Sequence, residues 1–207
     1  LMHTILIYYS IFIIILGSLF NLLNFICLYR MKKRNSQNIY LGALSLADLF
    51  NIQVNILIPI LLYEFNFYNF VKNWQNFSHL CILYGYFVEI GLLLPVWIMV
   101  VLAAERFFSI MWPLSKNVFS TRKHAKRTLF ILTSIVFIWS LYKLKTPGVE
   151  IFSTFEQRNL EIESSCRQMT LPYMVNISTI LWAIAPEFLT LILNLLIIKK
   201  IKITTSP

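Results

Sequence analysis

Residues 80–111 read LCILYGYFVEIGLLLPVWIMVVLAAERFFSIM, and this stretch decides the fold. It is apolar almost throughout, and its only charges are Glu89 and the adjacent pair Glu105 and Arg106. A helix rising about 1.5 Å per residue needs roughly 20 residues to cross a hydrocarbon core about 30 Å thick. The stretch exceeds that length. Backbone polar groups in lipid must be satisfied within the chain, so a segment this long and continuous is a helix, not a barrel strand.

Four further stretches have the same character. Residues 4–29 are interrupted only by Ser10, Gly17, Ser18, Asn21 and Asn24, residues 40–63 hold one acid, Asp48, residues 128–144 form a shorter span, and residues 171–198 hold Glu187. The first lacks a basic leader and runs directly into bases at 30–34, so it reads as a transmembrane helix and not a cleaved signal. The whole chain agrees: 207 residues, 58% apolar and 13% charged, with a mean hydropathy of +0.70. A soluble domain carries about 25% charged residues. Soluble enzymes, disordered chains and nucleic-acid binders are thereby excluded, and the fold class is an all-α integral membrane bundle in contact with the lipid bilayer.

The net charge of +9 then needs a location. Arg30, Lys32, Lys33 and Arg34 lie between spans one and two. Lys116, Arg122, Lys123, Lys126 and Arg127 lie between three and four, and Lys199, Lys200 and Lys202 follow span five. These segments hold twelve bases and no acid. The opposite connections hold Lys72, Lys143, Lys145, Arg158 and Arg167 against Glu64, Glu150, Glu156, Glu161 and Glu163, and balance. The positive-inside rule puts the basic connections in the cytosol and the amino end outside. The basic excess thus reports topology and contact with the cytosolic leaflet, not nucleic acid. A chain that begins with Leu1 close to its first helix and stops at Pro207 shortly after its fifth reads as a fragment.

Ionisable residues inside a span cost at least a few kcal/mol on insertion scales and usually face the bundle interior. Asp48, Asn51 and Asn55 are spaced to share one helix face, and Asn21 and Asn24 make a similar stripe on the first span. Two readings stand: hydrogen-bonding glue between helices, or a polar core that rearranges on switching. Glu105 and Arg106 are either snorkelling interface residues or a latch in which the permanently charged arginine leans on its neighbour. Cys81 and Cys166 both fall on the outer, oxidising side, so a disulfide between them is the expected state. Cys27 reads as a plain buried thiol. The alternation in Leu160, Glu161, Ile162 and Glu163, with Ile151, Ser153 and Phe155 before a turn at 157–159, predicts a β-hairpin in the outer loop. Its acids either line the mouth of the bundle with negative charge or merely balance Lys143 and Lys145. The histidines at 3, 79 and 124 are far apart, so no catalytic cluster is formed.

At this point the residues resemble a known family, the rhodopsin-like G-protein-coupled receptors. Gly17 and Asn21 are similar to the helix-one signature, and Leu44, Ser45, Leu46, Ala47, Asp48 and Leu49 to the helix-two motif. Trp74, seven residues before Cys81, looks like the tryptophan of the first outer loop. Cys81 and Arg106 have the family's usual separation, and Glu105, Arg106 and Phe107 resemble the Asp/Glu-Arg-Tyr motif with Phe for Tyr. Trp112, Pro113 and Leu114 resemble the start of the second inner loop, and Pro186 the proline of helix five. There are departures. Asn194 replaces a usual tyrosine, Val88 stands at the amine-binding aspartate, and Trp139 lies further from Arg106 than the helix-four tryptophan. Pro95 stands where a small polar residue completes a sodium site with Asp48, which argues against sodium there.

The resemblance implies residues 1–207 are a partial seven-transmembrane receptor domain with five helices present, multi-pass in the plasma membrane, with no cofactor and no enzymatic activity. It implies an extracellular ligand and a heterotrimeric G protein as partners. Glu105, Arg106, Phe107, Pro113 and Leu114 would serve G-protein coupling. Asn21, Asp48 and Asn51 would form the polar core, and Cys81 and Cys166 the disulfide. Glu89, Trp74, Glu161 and Glu163 would contact ligand. The Pro-Leu followed by Ser120, Thr121, Arg122 and Lys123, with the acidic hairpin, resembles invertebrate receptors for FMRFamide-type neuropeptides. The alternatives are a signalling-incompetent truncated receptor that acts as an interaction partner, and a transporter fragment.

Overall fold

The structure, a computed structural model, describes residues 2–31, 35–63, 77–112, 121–145, 150–153, 162–165, 177, 179–180 and 184–205. The elements in chain order are α1 (Met2–Arg30), α2 (Ser36–Ile52), a π turn (Gln53–Leu57), α3 (Ile58–Tyr63), α4 (Phe77–Met111), α5 (Arg122–Ser140), a 3-10 turn (Leu141–Lys145), β1 (Glu150–Ser153), β2 (Ile162–Ser165) and α6 (Ala185–Thr205). Among the described residues, four stretches are long and apolar enough to cross a membrane: Ile5–Arg30, Ser36–Leu61, Ile82–Met111 and Arg122–Leu144.

The helices run past the apolar stretches at their basic ends. The fourth span begins at Arg122 and not at 128, because the Thr121 side chain accepts the His124 backbone N–H at 3.2 Å and caps the first turn. Lys and Arg are good helix formers, so the helix persists once it leaves the apolar layer. The same reason carries α6 through Lys199, Lys200 and Lys202 to Thr205, beyond the expected end at 198. Most of residues 171–184 lie outside the described residues.

The second span is not one uninterrupted helix over 40–63. It starts at Ser36 and contains the π turn Gln53–Leu57. Pro59 explains it: proline has no N–H to donate and its ring collides with the carbonyl four residues back, which a wider turn relieves. Pro95 sits inside α4, with Gly91 at the carbonyl it would crowd.

The third span (α4) packs against the second, fourth and fifth, and the first against the second. Two buried clusters hold this arrangement. Tyr40, Leu102 and Ala125 join spans two, three and four at the basic end, and Ile90, Leu93 and Val136 join three and four towards the other end. The first span buries none of its most apolar window, and Phe12 and Phe20 are about 60% exposed. That surface is ordinary against lipid tails and untenable in water. Beyond the fourth span, β1 and β2 pair antiparallel with Ile151 opposite Ser164 and Phe152 opposite Glu163.

Candidate functional site

At the basic end, Glu105 is buried, and the buried Ser36 hydroxyl at the start of α2 donates to its Oε1. The latch expected between Glu105 and Arg106 is not what the structure shows. Arg106 is exposed and makes no ion pair among the described residues. The reason is helical geometry: consecutive residues point about 100° apart, so a glutamate turned into the bundle turns its neighbour out. Phe107, Phe108 and Trp112 close the helix end as an aromatic cluster, with ring centroids 5.6–6.2 Å apart. A cavity of about 310 Å³ opens beside Glu105, lined by Tyr40, Val101, Ala104, Phe108, His124 and Thr128. Pro113 and Leu114 lie outside the described residues.

In mid-bundle the polar residues separate into local pairs. Asn24 donates to Ser45 at 2.6 Å and Gln53 to Ser18 at 2.9 Å, and both bonds tie the first span to the second. Asn21 donates to the Gly17 carbonyl of its own helix at 3.0 Å, and Asn55 to Asn51 at 2.7 Å. Asp48 is half-buried, with no hydrogen-bond partner among the described residues. The single core expected from Asn21, Asp48 and Asn51 is therefore not assembled by direct bonds. Asn21 finds an acceptor and Asn51 a donor one helical turn away on their own helices, and a local bond costs less ordering than one across helices. Gly91 lets the third span approach this region: a Cβ there would lie 2.7 Å from Asn55 Nδ2.

Towards the other end, Glu89 is buried and accepts a hydrogen bond from the Tyr142 hydroxyl at 3.1 Å. The Lys143 ammonium lies 3.7 Å from its other oxygen and 5.3 Å from the Tyr142 ring centre. Lys143, assigned from the sequence to the outer loop as a balance for its acids, instead turns inward from the 3-10 turn. Glu89 is thus already neutralised from within the chain, not an open anion awaiting a ligand. A signal for this existed: an acid in a span must find a cation or a donor, and Tyr142 and Lys143 lie in the last residues of the fourth span itself. Trp74, Glu161 and Cys166 lie outside the described residues, and the side chains of Cys81 and Glu163 lie outside them too. The expected disulfide therefore falls outside the described geometry.

A family profile described as 7 transmembrane receptor (rhodopsin family) matches residues 21–206. The chain belongs to that family. No individual curated protein matches it. Membership in this rhodopsin-type receptor family makes it a multi-pass membrane protein of G-protein-coupled signalling. It also sets aside the transporter reading, since the match covers the third span, with Glu89, Glu105 and Arg106, and the acidic segment at 150–163 alike.

Proposed function

We propose that this rhodopsin-family chain receives a peptide at the end opposite its basic connections and passes the signal to a heterotrimeric G protein at the basic end. In this reading the amino end is outside and the membrane is the plasma membrane. One observation carries the proposal: Glu105 is held inside by Ser36 while the adjacent Arg106 is presented outside. Arginine cannot be deprotonated in proteins, so the basic end displays a permanent cation, flanked by Phe107 and the aromatic cluster, for a partner to read. Pro113 and Leu114 would extend that docking ridge.

At the opposite end, Glu150, Glu156, Glu161 and Glu163 give the outer segment a negative field that steers cations inward. An amidated, cationic peptide of the FMRFamide type suits that field. Glu163, opposite Phe152 in the strand pair, would stand at its rim. The Cys81–Cys166 disulfide would tie the strand pair to the third span, with Trp74 beside it. A ligand cation reaching Glu89 would have to replace Lys143 there. Such a ligand shifts the receptor only by its differential affinity for the two helix arrangements, and about 5.5 kcal/mol drives nearly complete switching. Asn21, Asp48 and Asn51 sit where the helix contacts would rearrange.

The test is nucleotide exchange on heterotrimeric G proteins in membranes from cells expressing the receptor, challenged with amidated peptides of graded charge. Cationic peptides should stimulate exchange, and Arg106→Ala should abolish it with surface expression intact. Exchange that survives Arg106→Ala, or that responds only to acidic peptides, would refute the corresponding half of the proposal.

A further inference from the structure

Glu105 and His124 come from different spans and line the same cavity, the one of about 310 Å³ at the basic end. Glu105 belongs to the third span and is buried, whereas His124 stands in the first turn of the fourth and is exposed. The cavity therefore has a carboxylate at its dry end and an imidazole at its wet end. Each group is oriented from behind. The Ser36 hydroxyl donates to Glu105 Oε1, and the Thr128 hydroxyl stands 3.5 Å from His124 Nδ1, one helical turn along. Tyr40 and Thr128 complete the polar lining, among Val101, Ala104 and Phe108.

We propose that this cavity holds a divalent transition-metal ion of the Zn²⁺ class, which bridges Glu105 Oε2 and His124 Nε2 and joins the third span to the fourth. Carboxylate and imidazole are both zinc ligands, with bonds of about 2.0–2.2 Å, and ligating side chains characteristically have a second partner on their other polar atom. The hydroxyls of Ser36 and Thr128 stand in those second positions. No third His, Cys, Asp or Glu joins the pair among the described residues, so water fills the remaining positions and the ion is exchangeable. The cavity has the volume for those waters, and its exposed histidine marks the entry. The local field selects among metals. Arg122, Lys123, Lys126 and Arg127 occupy the same two turns as His124 and repel every cation. Imidazole coordination offsets that repulsion for Zn²⁺, but not for Mg²⁺ or Ca²⁺, which take oxygen ligands. Neither the peptide nor the G protein proposed above is needed for this site.

The full chain, without a polyhistidine tag and in a Cys27→Ser background, is purified in a mild detergent and stripped with EDTA. Zn²⁺ binding is read by competition with a chromogenic chelator, and the ligand set by the visible absorption of Co²⁺ in its place. One equivalent of Zn²⁺ should bind, and Mg²⁺ should not compete. His124→Ala and Glu105→Gln should each abolish binding. Because Glu105 is buried and its variant can fail to fold, His124→Cys gives a second test at an exposed position. It should restore binding, with a thiolate-to-cobalt band that the parent chain lacks. Thr128→Val should weaken binding about 10–100-fold, the usual cost of removing a ligand's second partner. His3→Ala and His79→Ala should leave binding unchanged. The proposal is overturned if Zn²⁺ binds undiminished to His124→Ala, if His3→Ala or His79→Ala costs as much, if Mg²⁺ competes equally, or if no Zn²⁺ is bound.

Discussion

Two glycines offer a matched test of how the bundle is packed. A Cβ built at Gly91 would lie 2.7 Å from Asn55 Nδ2, and one built at Gly17 would lie 2.7 Å from Ile52 Cδ1. The overlaps are equal, but the neighbours differ. Ile52 Cδ1 is the free end of an aliphatic chain, and moving it off its rotamer costs about 0.5–1.5 kcal/mol. Replacing Gly by Ala in a helix returns about 1 kcal/mol of propensity, so Gly17→Ala should be near neutral. Asn55 is not free to move, because it donates to Asn51 Oδ1 at 2.7 Å and the Asn51 Cα stands 3.5 Å from the new methyl. Overpacking there costs about 1–3 kcal/mol, and losing a side-chain bond in the bundle adds about 0.6. After the same gain in propensity, Gly91→Ala should be destabilised by roughly 0.6–2.6 kcal/mol. Equilibrium unfolding of the two variants by SDS titration in mixed micelles, followed by tryptophan fluorescence, measures the difference. Equal stabilities would refute the argument that the fixed amide, and not the overlap itself, sets the cost. Adding Asn55→Ala to Gly91→Ala should recover most of the loss.

Three other outcomes are expected. Glu89→Gln strands Lys143 beside a neutral amide and should cost about 2 kcal/mol, less than a fully buried pair because the lysine stem reaches towards solvent; the double variant with Lys143→Met should cost less than the sum, and additivity in a double-mutant cycle would show the pair is not coupled. Ser36→Ala leaves the buried Glu105 short of a donor and should destabilise the bundle by about 1–3 kcal/mol in the same SDS titration, while Ser36→Thr should retain most of the stability. Of the 3 cysteines, only Cys27 should label with a maleimide in SDS before reduction, and all should label after it; equal labelling in both states would show that Cys81 and Cys166 are not joined.

Much of the architecture was legible because lipid imposes a simple demand: long apolar runs must be helices, and bases between them mark one face. Helix ends were less legible, since Thr121 and the bases after it extend a helix by capping and propensity where hydropathy has already fallen. Cys27, read as buried, is exposed on the first span, because a helix that packs along one side only turns most of its residues to lipid. The site residues divide the same way. That Glu89 and Glu105 face inward follows from the cost of a charge in lipid. Which partner each takes does not, because Ser36 lies 69 residues from Glu105 and Tyr142 lies 53 from Glu89, and no local spacing encodes those meetings. Asn21 and Asn51 were expected to share a core from the resemblance and from the polar faces of their helices, and the choice of a nearer partner is invisible to periodicity.

The π turn at Gln53–Leu57 has a consequence for the division of labour along the second span. A wide turn accommodates one residue more than an α-turn over the same rise, and one residue on a helix is worth about 100° of rotation. The half that carries Ser36, Ser45 and Asp48 and the half that begins at Ile58 therefore share an axis but not a phase. The half nearer the basic end is clocked by its contacts with Asn24 and Glu105, and the half beyond the turn can be clocked separately. Residues beyond the turn can change without re-aiming the polar side chains that hold the basic end together.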